Sequence, residues 1–148
     1  CACLVGSEMC IRDRRCVVKT IYERFDGITW YIQKMLNALY SMTPSGGTCT
    51  EAMIDEALRN IVGSMKYTYT ETLFRMPERQ KELLIAISKE GRASSVTSGS
   101  FIKKYRLSSA SSVQAAMKGL LEKDYITSEA GSYHVYDLFF GIWLRENY

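Results

Sequence analysis

The residues of this chain best suited to chemistry with a partner are Lys103, Lys104 and Arg106, followed at short spacing by Ser109, Ser111, Gln114 and Lys118. Ammonium and guanidinium groups neutralise phosphate oxygens, which supplies affinity without sequence information, whereas a glutamine amide can pair bidentately with an adenine edge. These seven residues are the candidate contacts to duplex DNA. Glu122, Asp124 and Glu129 follow them closely and oppose a strongly cationic surface. Signatures of nucleophilic, metal or phosphate-cradling chemistry are missing: the chain has no Gly-x-x-x-x-Gly-Lys-[Ser/Thr], His-Glu-x-x-His, Gly-x-Ser-x-Gly or Cys-x-x-Cys. The expectation is a chain with no catalytic, cofactor-binding or metal-binding residue and no enzyme activity of its own. His134, the single histidine, has no further metal ligands beside it and is expected to point outward from a strand.

Such residues act only when a folded core holds them. With 148 residues, 47% hydrophobic and 24% charged, the chain can build one core or two small ones. The net charge of +3 is compatible with nucleic acid without arguing for it. Nor does either half form a basic tail, since residues 1–75 carry nine basic and eight acidic side chains and residues 76–148 carry ten and eight. The uncharged apolar run Leu138–Leu144 falls far below the roughly 20 residues that span a bilayer, so no membrane partner is expected. Cys16 and Cys49 are expected as buried thiols of a reducing compartment, which makes the cytoplasm the default location.

The first elements are helical. Ile32, Met35, Leu36, Leu39 and Tyr40 predict an amphipathic helix over 29–40, ended by Ser41-Met-Thr-Pro-Ser-Gly-Gly47. Thr48 and Glu51 have capping-box spacing, with Thr50 an alternative cap, before a helix to about Met65 that buries Ile54, Ala57, Leu58, Ile61, Val62 and Met65. The β-branched and aromatic run Lys66-Tyr-Thr-Tyr-Thr70 is expected to break the pattern, leaving a short helical piece at Glu71–Arg75. Trp30 and Tyr31, beside Gly27, are expected as packing residues.

Beyond Pro77 the order of elements changes. Pro77 and Gly91 bracket a helix with Leu83, Leu84 and Ile87 inside. Ser98 caps a second, short helix, Gly99–Tyr105, with Phe101, Ile102 and Tyr105 turned inward. After the tight connection Arg106-Leu-Ser108 a third helix buries Val113, Ala116, Met117, Leu120 and Leu121 and turns Ser111, Gln114, Ala115, Lys118 and Glu122 outward. Strands at 125–128 and 133–136 then close a hairpin around Glu129-Ala-Gly-Ser132. Three helices with a short turn between the last two, followed by a hairpin, make a winged helix. The predicted fold is therefore mainly α: a helical region at 15–75, then a winged helix-turn-helix domain at 76–148 with a small two- or three-stranded sheet. Tyr136–Arg145, apolar nearly all round, is expected as a buried helix.

Two resemblances add to this reading. Cys3-Leu-Val-Gly-Ser-Glu-Met-Cys-Ile-Arg-Asp-Arg14 resembles the peptide translated from sequencing-adapter DNA at the end of a metagenomic reading frame. It implies that residues 1–14, with Cys1, Cys3 and Cys10, are not native, and that a piece upstream is missing. Pro77-Glu-Arg-Gln-Lys-Glu-Leu-Leu84, Phe101-Ile-Lys-Lys-Tyr-Arg-Leu-Ser108, Ser111-Ser-Val-Gln-Ala-Ala116, Leu120-Leu-Glu-Lys-Asp-Tyr-Ile126 and Tyr136-Asp-Leu-Phe-Phe-Gly-Ile-Trp-Leu-Arg145 resemble the C-terminal part of archaeal-type P-loop ATPases. That family, also common in gut bacteria, belongs to the AAA-like signalling (STAND) NTPases. Asp26-Gly-Ile-Thr-Trp-Tyr-Ile-Gln33 is similar to the start of its helical lid. The resemblance implies a non-catalytic regulatory end, a lid plus a winged helix, whose partner is an N-terminal ATPase domain holding ATP and magnesium. A protein partner or duplex DNA is implied for the winged helix, and a DNA-binding transcriptional regulator is the alternative function.

Overall fold

A computed structural model describes residues 16–148. Cys1, Cys3, Cys10 and the adapter-like segment 3–14 lie outside the described residues. The chain divides into two compact units, one ending at Ser64 and one beginning at Met65.

Within the first unit, helix α1 (16–24), α2 (Thr29–Met42) and α3 (Glu51–Ser64) form the described part. Val17, Ile21 and Phe25 meet Tyr31, Met35 and Leu39 of α2 and the expected Ile54, Ala57, Leu58, Ile61 and Val62 of α3 in the buried set. The α2 stripe is rotated relative to expectation, because Phe25 stacks on Tyr31 at 5.6 Å and 9° and draws that edge inward. Tyr40, predicted inside, is 85% exposed, and Met65 is also exposed. Trp30, beside the buried Tyr31, is 59% exposed. With α3 starting at Glu51, Thr50 takes the position before the helix, and Glu51 accepts the Thr20 hydroxyl at 3.1 Å. Arg24 donates to Asp55 at 2.7 Å and holds that carboxyl below the usual range. Cys16 and Cys49 are free thiols but not buried ones. Cys16 lies in α1 and Cys49 in the loop before α3, and both line one shallow depression with Val17, Thr50 and Glu51.

The second unit contains α4 (Lys66–Arg75), α5 (Glu78–Glu90), β1 (Ala93–Ser94), α6 (Gly99–Tyr105), α7 (Ala110–Glu122), β2 (Ile126–Glu129), β3 (Ser132–Val135) and α8 (Leu138–Asn147). The expected break at 66–70 does not occur: α4 runs through it, because Tyr69 and Leu73 are buried and tertiary packing outweighs weak local propensity. Tyr69 stacks on Phe140 at 4.7 Å and lies 5.7 Å from Trp143. Its hydroxyl reaches Asp137 Oδ2 at 3.2 Å. The boundary expected between Arg75 and Met76 therefore falls inside this unit, since α4 packs on α8.

Pro77 precedes α5 with φ −55°, and Gly91 ends it at φ 73°. The antiparallel sheet has the order β1-β3-β2, so Ala93–Ser94 adds a third strand to the hairpin. Glu129 pairs with Ser132, leaving a two-residue turn of Ala130 (φ 48°) and Gly131 (φ 78°). This is tighter than the expected four-residue loop and shifts both strands by one position. His134 pairs with Thr127 in β3 but does not point freely outward; it is half-buried, with Nδ1 enclosed and unpartnered. As predicted, α8 is buried through Phe139, Phe140, Gly141, Trp143 and Leu144, and Asp137 caps it by accepting the Phe139 and Phe140 N–H groups. A Cβ on Gly141 would come within 3.3 Å of Val135, so glycine sets the α8–β3 distance. The architecture is the mainly helical one predicted, with three packed helices (α5, α6, α7) and a small sheet. Among the described residues no helix is long and apolar enough to cross a membrane.

Candidate nucleic-acid interface

Local capping fixes the α6–turn–α7 segment. Ser98 accepts the Phe101 N–H at 3.3 Å and starts α6. At the other end Arg106 turns into the left-handed region at φ 54°, and Leu107 N–H donates to Ile102 O at 2.9 Å. Leu107 is buried and anchors the turn. Ser109 then accepts the Ser112 N–H at 3.3 Å and starts α7. Val113, Ala116 and Leu120 fix the inner face of α7, and α5 is its main neighbour. A Cβ on Gly119 would meet the terminal amide of Gln80, which lies over this glycine from α5. Met117 and Leu121, predicted inside, are half-buried.

The opposite face of α7 is open. Ser111, Gln114, Ala115, Lys118 and Glu122 are all exposed. Ser111 shares a 3.0 Å hydrogen bond with Ser109, so two of the candidate hydroxyls are engaged with each other. Lys118 lies 3.8 Å from Glu122, a loose exposed pair. Gln114 makes no side-chain contact of a polar kind among the described residues.

The three basic residues near α6 differ. Lys103 and Arg106 are exposed and have no ion-pair partner among the described residues. Lys104 is held: Glu90, at the end of α5, accepts from its Nζ and from the Tyr105 hydroxyl, each at 2.6 Å. The Lys104 and Tyr105 hydrogen bonds hold the Glu90 carboxyl below the usual range, and Glu90 in turn raises Lys104. Burial, then Glu90, pushes the Tyr105 phenol up. In the wing, the acidity that opposed a DNA contact is compensated from outside the hairpin. Arg92, just before β1, donates to Glu129 at 2.6 Å and lowers its carboxyl.

Glu90 and Arg92 are the residues that sequence reasoning missed. Each meets its partner across 14 or 37 positions of chain, where no helical or strand spacing signals the contact. Charge is also partitioned between the units. Residues 65–148 carry twelve basic and nine acidic side chains, whereas residues 1–64 carry seven of each, so the whole excess of +3 belongs to the unit that contains α7. Among the described residues no group of three or more His, Cys, Asp or Glu is placed to hold a metal ion.

Residues 67–146 match the model of a family described as a probable winged helix domain. That span takes in α4 as well as the three helices, the sheet and most of α8. No curated protein matches the chain, and no solved structure does.

Proposed function

The chain belongs to the probable winged helix domain family, and from that membership we propose that it binds duplex DNA, with α7 lying in the major groove. The observation that supports this reading most is the open face of α7, capped and packed on its other side, with the unpaired cations Lys103 and Arg106 just before it. In this role Lys103 and Arg106 meet phosphates, Ser109 and Ser111 line the helix entry, and Gln114 and Lys118 face base edges. Lys104 contributes only when Glu90 releases it.

The test is a fluorescence-anisotropy titration of a labelled duplex at several salt concentrations. The logarithm of the binding constant should fall linearly with the logarithm of salt, and Lys103→Ala with Arg106→Ala should reduce the slope by about two. No binding at about 50 mM salt, where phosphate contacts are strongest, would overturn the reading.

A specific observation favours a second reading. The Glu129–Arg92 and Lys104–Glu90 pairs leave the wing and the end of α5 with little surplus charge, which suits a protein surface. Here the chain is the regulatory end of a P-loop ATPase, whose upstream domain holds ATP and magnesium. The winged helix biases that domain only as far as it contacts its two nucleotide states differently. Deleting residues 65–148 from such a longer protein should change ATP turnover, and unchanged turnover would dismiss the reading.

A further inference from the structure

We infer that α7 selects an A·T base pair, with the Gln114 amide bidentate on adenine and the Ala115 methyl against the thymine methyl. This rests on the DNA-binding reading and goes beyond it in naming the base pair. Its basis is which groups on the open face of α7 remain free. The Ser109 hydroxyl caps the helix and shares its bond with Ser111, and Lys118 leans toward Glu122. Gln114 is exposed and keeps both the acceptor and the donors of its amide for a partner. Of the base edges in the major groove, only adenine offers an acceptor and a donor side by side, at N7 and N6. Guanine presents two acceptors, cytosine a donor, and thymine an acceptor with a methyl group. An amide that carries one acceptor and a donor pair therefore satisfies two bonds on a single base only at adenine.

The neighbours of Gln114 fit the same pair. Ala110 lies one turn before it on the same face and Ala115 follows it, and both are exposed. Their single methyl groups let the helix approach closely and supply the apolar contact that the thymine methyl accepts. A longer side chain at either position would hold the amide away from the base edge.

The experiment is selection by the full chain from a duplex pool with a randomised centre, followed by anisotropy on the selected duplex. An A·T pair should emerge, and replacing it with G·C should weaken binding by about 5- to 150-fold. Placing 7-deazaadenine at that position, which removes the N7 acceptor, should also weaken binding. Gln114→Ala should abolish the preference, and Gln114→Arg should move it to G·C, because guanidinium donors match the two guanine acceptors. Both substitutions lie on the exposed face, so circular dichroism should confirm an intact fold. Salt-dependent binding without base preference, or an A·T preference that survives Gln114→Ala, would overturn the inference and leave the DNA-binding reading standing. Failure to bind any duplex at low salt would overturn both.

Discussion

Glu90 decides how much positive charge α6 offers a partner, because it holds both Lys104 and Tyr105 at 2.6 Å. Its carboxyl is depressed, so the pairing is complete above the ordinary carboxylate range and is lost as pH falls through the depressed value. At neutral pH Lys104 is therefore held. Glu90→Gln removes the charge that holds it, and the salt slope of duplex binding should become steeper by about one. An unchanged slope in the same titration would mean that Lys104 faces no phosphate. The open face of α7 was legible in the sequence at this scale, because helical periodicity alone sorts Val113, Ala116 and Leu120 from Ser111, Gln114 and Lys118. The engagement of Lys104 was not, because its partner arrives from another helix, 14 residues earlier.

Among the elements, α8 depends on a single residue more than its apolar content suggests. Asp137 accepts two N–H groups at its start and the Tyr69 hydroxyl from α4, so it both caps α8 and ties α4 to it. Asp137→Ala should cost about 2 kcal/mol, from the lost cap and the lost hydrogen bond, and lower the unfolding midpoint by roughly 8–16 °C. Tyr69→Phe keeps the ring stack on Phe140 and removes only the hydroxyl, so it should cost less. Equal losses in thermal unfolding would contradict this division of roles. The bounds of α6 followed from Ser98 because a cap is a local device. By contrast the helical start of α4 is hidden, since Thr68 and Thr70 with Tyr67 and Tyr69 argue against a helix locally while burial of Tyr69 and Leu73 decides the outcome. The hairpin shifted by one residue because Ala130 takes the left-handed conformation that Asn or Gly usually announces.

At the scale of the molecule, the unit 65–148 holds the net charge, α7 and the whole sheet. Trp143 is buried in it, whereas Trp30 of the other unit is largely exposed, so fluorescence of a 65–148 fragment reports on one core. That fragment should unfold cooperatively in urea. A 76–148 fragment, which loses Tyr69 and Leu73, should be less stable by about 3 kcal/mol or more. Equal midpoints would show that α4 is not part of the winged-helix core. This boundary was hidden in the sequence because Pro77 is a strong local punctuation mark, while the contact that joins α4 to α8 spans 68 positions. The most direct test of the central claim is to map the surface that meets DNA, by titrating the isotope-labelled chain with a short duplex and following backbone amide shifts. Perturbations should concentrate between Ser98 and Lys118, strongest at Lys103, Arg106, Ser111 and Gln114, and fade as salt rises. Shifts confined to α4 and α8, or none at low salt, would contradict the assignment of α7 as the nucleic-acid contact.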